Sequence, residues 1–337
     1  MLSIFISHSF SRITCQGIDN DSEEWYIMLK MPKKSNTSPL REVGEAFFYM
    51  DPTTKLIDSE SGVNQTTRNP LYNTLKYVFP KKSDIGYMMM SDQPPNKRTV
   101  SDTYAHKKGV LIYDSENGIY LEHSTPKFPE DPDDSNTYSF PSTGLVYGQS
   151  FFCLTLTHKD IDGWAEGALI EKPYVYASNI PSYTQEKLPN VVKLSNSEWN
   201  DKQMTRVQEI NIGEHYVRLY SKHRNWGMDI YHDLLAIDLK TTVLTETWSR
   251  GINTMESNCT GSYHSLNILN LMFQGQIWGR MNDHSKWCIA DDYYCIGGIN
   301  RQEKQLERGG GAWCLKNFEF TKTIRDAITY MEECDLK

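Results

Sequence analysis

The chain has 337 residues, 39% of them hydrophobic and 23% charged, with 20 Tyr and 8 Trp, the make-up of a folded globular protein with a sizeable core. That length suits two domains or one unit built twice, and no run approaches the roughly 18 apolar residues of a spanning helix. The formal net charge of −8 argues against an ordinary basic binder of nucleic acid at neutral pH. The nine His qualify this, because charging all of them would carry the sum from −8 to +1. Unperturbed imidazoles titrate near about pH 6.5, so such a chain tolerates a polyanion in an acid compartment.

The first 14 residues interrupt their apolar run with Ser7, His8, Ser9, Ser11 and Arg12, and are expected to be a degenerate or truncated signal segment. Glu24–Met31 alternates large apolar residues and predicts a strand, whereas Pro32–Thr67 is expected to be loops and short hairpins. Ile85–Met90 reads as a buried strand ending in the turn Ser91-Asp-Gln-Pro-Pro. Gly109–Tyr113 and Ile119–His123 flank Asp114-Ser-Glu-Asn-Gly118, a hairpin signature. Tyr147–Leu156 predicts a strand and His158–Ala168 a helix. Asp229–Leu235 predicts a second helix, leading into a strand at Thr241–Trp248, and 319–334 a terminal helix. Seven Cys allow at most three bridges with one thiol over. The sequons at Asn20, Asn36, Asn64 and Asn258 are glycosylation candidates compatible with secretory traffic.

Two His-x-Lys tripeptides, His106/Lys108 and His284/Lys286, lie about half a chain apart. On an extended strand, residues i and i+2 point to one face. Each pair would then offer an imidazole as nucleophile or acid beside an ammonium. Phosphodiester cleavage needs attack on phosphorus, protonation of the leaving oxygen and neutralisation of the equatorial oxygens. Two Lys supply the positive charge that a metal would otherwise provide. The tripeptide alone is common enough to arise by chance in a chain with nine His.

The surrounding blocks carry more. Ser91-Asp-Gln-Pro-Pro, Ala105-His-Lys-Lys-Gly-Val-Leu, Tyr147-Gly-Gln-Ser-Phe-Phe-Cys, Asp283-His-Ser-Lys-Trp-Cys, Gly297-Gly-Ile-Asn-Arg301 and Glu307-Arg-Gly-Gly-Gly311 follow one another in that order. They resemble the deoxyribonuclease II family from about Cys15 to Cys334. The resemblance implies an α/β fold of mixed α+β character: two duplicated phospholipase D-like units, each a mixed sheet flanked by helices. Residues 15–165 and 166–337 would each contribute one HxK motif to a shared, pseudo-two-fold site. It implies an acid endonuclease acting on double-stranded DNA with little sequence preference. The enzyme would need no metal or cofactor, pass through a phosphohistidine and leave 3′-phosphate ends. By analogy His106 is expected to attack and His284 to act as acid and base; the residues alone leave the order open.

Asn300, Asp92 and Gln93 are expected in supporting roles. Arg301 and Arg308, with the Gly309–Gly311 run, would either approach the DNA backbone or form a tight turn under the second motif. Asp291 completes His-x-Lys-x4-Asp but reads as a solvated loop residue. His123, His158, His215, His223, His232 and His264 are expected to be surface or satisfied core residues. The implied bridges are Cys15–Cys153, Cys259–Cys334 and Cys295–Cys314, leaving Cys288 free. A zinc site from His284, Cys288 and Cys295 has the wrong spacing for a common finger. The resemblance also implies a lysosomal or secreted protein, either monomer or homodimer, without a membrane partner. The rival expectation is a catalytically silent secreted DNA-binding or interaction protein that keeps the fold; retention of all four HxK residues favours the enzyme. Transfer on lipids is disfavoured by the nuclease blocks.

Overall fold

A computed structural model describes residues 13–95 and 99–334, so the expected leader falls almost entirely outside the described residues. Two large sheets dominate. The first holds β1 (Trp25–Lys30), β2 (Phe47–Met50), β3 (Ile57–Asp58), β4 (Gly86–Ser91), β5 (Lys108–Tyr113), β6 (Asn117–His123), β7 (Gln149–Thr157) and β8 (Val175–Asn179). Its spatial order is β8-β4-β5-β6-β7-β1-β2-β3, antiparallel throughout.

The second sheet holds β9 (Thr205–Ile212), β10 (His215–Lys222), β11 (Val243–Thr247), β12 (Ser265–Phe273), β13 (Gln276–Gly279), β14 (Lys286–Ala290), β15 (Tyr293–Gly297), β16 (Gly310–Lys316) and β17 (Ile328–Met331). They run β9-β10-β16-β15-β14-β11-β12-β13, with β17 added to β12 and only β11–β12 parallel. Helices are few and short, so the molecule is of mixed α+β class. No described helix is long and apolar enough to cross a membrane.

Each sheet is covered on both faces, which is why its central strands read as continuous apolar runs rather than clean alternation. One core joins the sheets: Trp25, Phe152 and Leu154 of the first share it with Trp287, Ile296 and Trp313 of the second. Tyr120 stacks on Trp313 with centroids 5.2 Å apart and meets Trp164 of helix His158–Glu171 at 4.5 Å. That helix starts where Thr157 and Asp160 form a reciprocal capping box. It ends at Lys172, whose left-handed φ of 65° breaks the helix. Trp164 is fully buried, and its truncation to Ala should cost about 3–5 kcal/mol. Separate apolar clusters line the outer faces, around Phe128 and Phe151 on the first sheet and Tyr231 and Leu235 on the second.

The same neighbours surround the two HxK strands. β4-β5-β6-β7-β1-β2 in the first sheet matches β11-β14-β15-β16-β10-β9 in the second. The register agrees as well: Ser91 pairs with Lys108 as Thr247 pairs with Lys286, and Lys30 pairs with Gln149 as Lys222 pairs with Gly310. Both Lys30 and Lys222 are buried and donate to carbonyls that close short helices, of Leu145 at 2.6 Å and Leu306 at 2.7 Å.

Several sequence expectations are corrected. The terminal helix covers Phe318–Ala327 only; Ile328–Met331, with its β-branched and aromatic residues, adds a strand to β12 instead. Pro32–Thr67 holds an expected hairpin, β2 with β3, but β2 also joins β1 and a short helix spans Pro39–Val43. The strands β9, β10 and β12 were not expected, because polar residues at their ends hide their period. Asp229–Leu235 does lead into a helical stretch, but one wound in wide turns over Ile230–Ala236.

Three disulfides join Cys15–Cys153, Cys259–Cys334 and Cys295–Cys314, and Cys288 is a buried thiol. At Asn20, Asn36 and Asn64 the side chains are exposed, and Asn258 is half-buried.

Candidate active site

His106 and His284 do not lie in strands. Each sits just ahead of one, with Lys108 opening β5 and Lys286 opening β14. The backbone leading into each strand crosses to the opposite half of the molecule. The His106 amide donates to the Gly309 carbonyl at 2.9 Å, and the His284 amide to the Gly148 carbonyl at 2.8 Å. Gly309 must be glycine there, since a Cβ would lie 2.0 Å from the Glu171 carbonyl oxygen.

The imidazoles are held the same way. His106 Nδ1 donates to the Gly298 carbonyl at 2.5 Å. His284 Nδ1 donates to the Ser124 carbonyl at 3.0 Å, with Gln149 Oε1 at 3.3 Å. A carbonyl only accepts, so both Nδ1 atoms carry a proton, and in the neutral rings both Nε2 atoms are the ones with a free lone pair. Gly298 follows β15 and Ser124 follows β6, strands that occupy matching positions beside β14 and β5. Each histidine is therefore oriented by the sheet that does not carry it.

His106, Lys108 and Lys286 line one small cavity with Ser124, His123 and Gly298. Burial pushes the His106 imidazole down to about 3, with Lys108, Lys286 and Arg308 adding to the effect and Asp92 opposing it. Burial also holds His284 well below its usual value, followed by Lys286, Lys108 and His106. The Lys286 ammonium is likewise lowered by burial and then by Lys108. These reciprocal effects put all four HxK residues within electrostatic reach of one another.

Asp92 is the carboxylate paired directly with Lys108, while Asp283 and Glu246 act on Lys286 from further off. Asp92 accepts from Lys108 at 2.7 Å, faces Arg308 at 3.4 Å and lies 3.8 Å from His106 Nε2. Burial alone would raise its carboxyl, but Lys108, His106 and Arg308 together hold it well below the usual range. Arg308 also donates to the carbonyls of Tyr104 and Ala105, bracing the approach to His106. Gln93 is exposed, its backbone carbonyl accepting from Lys127. Asn300 is buried, and its Oδ1 has no hydrogen-bond partner among the described residues. Arg301 is turned inward onto Asp229 at 2.9 Å and Asn267 at 2.6 Å. Of its two sequence readings, the geometry matches the packed turn. Asp291 sits exposed in the β14–β15 turn, bonded to Thr241.

Lys107 points away from the site, as strand alternation requires, into a buried network with Glu171 at 2.8 Å and Glu122 at 3.4 Å. Sequence reasoning gave no role to Ser124, Gln149 or Trp248. Ser124 and Gln149 reach His284 from the other sheet through a backbone carbonyl and an amide, and Trp248 meets it from its own sheet through a ring face, contacts that residue identity alone does not announce. His123 was assigned to packing and does stack on Phe151, yet it also lines the cavity.

The model of the family described as deoxyribonuclease II matches residues 14–334. The chain belongs to the deoxyribonuclease II family. It is 29% identical over 347 residues to deoxyribonuclease-2-beta of Homo sapiens, covering 99% of this chain and 95% of that protein. It is 29% identical to plancitoxin-1 of Acanthaster planci, with 96% and 92% covered. Against deoxyribonuclease-2-alpha of Rattus norvegicus the identity is 28%, with 96% and 95% covered. As a deoxyribonuclease II family member the chain is a nuclease, a hydrolase of phosphodiester bonds.

Proposed function

We propose that this nuclease is an acid endodeoxyribonuclease that cuts double-stranded DNA by a metal-free, two-histidine mechanism. The observation that carries the reading is the paired orientation of His106 and His284, both Nδ1–H groups tied to carbonyls and both Nε2 atoms left for chemistry. One neutral Nε2 attacks phosphorus and forms a phosphohistidine. The other, as imidazolium, protonates the departing 5′ oxygen, leaving a 3′-phosphate on the attached strand, and then activates water to free the enzyme. Lys108 and Lys286 neutralise the equatorial oxygens. The donor set favours this over a divalent cation, since hard cations take oxygen ligands and the nearest carboxylates are already engaged, Asp92 by Lys108 and Arg308 and Asp283 by Trp278 and Ser285. Asn300 Oδ1 supports the bound phosphate through a protein or water donor.

The matching strand order and register around β5 and β14 support a duplicated, phospholipase D-like arrangement, one HxK from each half. By that analogy His106 attacks and His284 serves as acid and base. One observation favours the reverse order: Asp92 stands 3.8 Å from His106 Nε2 and would stabilise an imidazolium there. Three disulfides and exposed sequons support export through an oxidising compartment to a lysosome or the exterior.

Plasmid cleavage at about pH 5 with EDTA present tests the mechanism, in wild type, His106→Ala and His284→Ala. Cleavage lost in EDTA would sink the metal-free chemistry. Full activity in either variant would sink the site. Inactivity of the wild type would leave the silent, DNA-binding reading. Acid-labile phosphate trapped on His284→Ala assigns the attack to His106; trapped on His106→Ala, it assigns the attack to His284.

A further inference from the structure

The two ends of the site match in their catalytic groups but not in what flanks them. Ser91 and Thr247 hold equivalent register positions opposite Lys108 and Lys286, so the next residues, Asp92 and Trp248, are counterparts. Beside His106 the position carries a carboxylate. Beside His284 it carries an indole, whose ring meets the His284 ring edge-on with centroids 5.0 Å apart.

Trp248 does not stand alone. Tyr147, from the loop ahead of β7 in the first half, packs edge-on against it at 4.6 Å. The Arg250 guanidinium lies over both rings, 5.0 Å from the Tyr147 centroid and 5.8 Å from that of Trp248. Arg250 is anchored by Nε to the Met281 carbonyl at 2.6 Å and by one terminal nitrogen to the Tyr147 hydroxyl at 3.1 Å. Its side chain is exposed.

A guanidinium packed against two aromatic rings, fixed at its edge and carried on an exposed side chain, suits stacking on a nucleobase with donation to the adjoining phosphate. Resting on the nuclease reading above, we propose that Trp248, Tyr147 and Arg250 form a nucleotide subsite on the His284 side of the scissile phosphate. The base next to the cut stacks there, and Asp92 at the opposite end offers no such platform and repels a polyanion. A base stacked on protein has left its partner, so the site receives a locally opened strand rather than an intact duplex.

The test compares kcat/KM for a short single-stranded oligodeoxynucleotide with that for a strand of equal length whose sugars carry no bases. The ratio is read rather than the rate, because Trp248 also packs on the His284 ring. Wild type should prefer the base-bearing strand by roughly tenfold. Trp248→Leu should bring the ratio close to one and Trp248→Phe should restore most of it. Arg250→Ala, on an exposed side chain, should lower the ratio and weaken both substrates. A ratio unchanged in Trp248→Leu, even with a uniform loss of rate, overturns the subsite. Full activity of His106→Ala in the same assay would instead overturn the underlying site.

Discussion

The Nδ1–H of His284 is bound to the carbonyl oxygen of Ser124, which belongs to the other half of the molecule. That bond fixes the tautomer, and its counterpart from His106 to Gly298 does the same on the other side. Burial then disfavours the charged form of both rings in the free enzyme, pushing His106 down to about 3.

Substrate therefore has to bring a proton with it. An incoming phosphodiester anion favours the imidazolium, so a histidine titrates at higher pH in the complex than in the free enzyme. Affinity should then rise as pH falls below the bound-state value, by up to about tenfold per unit for each proton taken up, and level off below the free-state value. Calorimetry with a phosphorothioate oligonucleotide, whose own charge is constant over this range, measures both affinity and proton uptake. Affinity independent of pH from neutral to about pH 5 would contradict this.

Lys107 offers a second pH-dependent prediction. Removing its ammonium, as in Lys107→Met, strands Glu122 and Glu171 in the core, at a cost of about 3–5 kcal/mol near neutrality. The Glu122 carboxyl is already raised to about 7, chiefly by burial, with Lys107 opposing. Without Lys107 it rises further and stays protonated in the fold. A carboxyl whose folded pKa exceeds its unfolded one loses stability as pH climbs between the two. Denaturant unfolding should thus find the variant far weaker at neutral pH than at about pH 5.

Glu246 is the cleaner case. It is fully buried on β11, and neither carboxyl oxygen has a hydrogen-bond partner. Burial holds its pKa well above the usual value, so the fold keeps the proton while the unfolded chain releases it above its ordinary carboxylate pKa. Stability is lost on that account as pH rises, at about 1.4 kcal/mol per unit until the folded pKa is reached. Glu246→Gln removes this slope. Its melting temperature should exceed that of wild type at neutral pH and match it in acid; equal shifts at both would refute the assignment.

The Cys295–Cys314 bridge ties β15 to β16 directly below Gly298 and Gly309, the two residues whose carbonyls seat His106. Replacing both cysteines by Ala should cost about 3 kcal/mol, given the 19-residue separation. It should also lower kcat more than it raises KM. A variant with the stability loss but wild-type kcat would separate the bridge from the site.

The apolar runs at Trp25–Lys30, Gly86–Ser91 and Lys108–Tyr113 were legible because buried strands must be apolar whichever way their side chains point. The paired HxK residues were legible through their neighbouring blocks. What escaped was whatever depends on the approach of distant segments: the second-half strands at Thr205–Lys222, the Ser124 and Gly298 carbonyls and the Trp248 ring. A backbone carbonyl leaves no trace in residue identity. The histidine arithmetic overreached because three of the nine, the buried His106 and His123 and the half-buried His284, have imidazoles held below their usual value.

The exchange of carbonyls between halves has a consequence for how the protein comes into being. While the chain is being made, the first half emerges with His106 lacking the Gly298 and Gly309 groups that orient it. The second half, cut loose, would lack Ser124 and Gly148. Neither fragment holds a seated imidazole, so hydrolytic competence arrives in a single step, with completion of the last strands. On the two-histidine reading, a chain still being made, or one half parted from the other, would lack activity for want of the carbonyls that seat its imidazole.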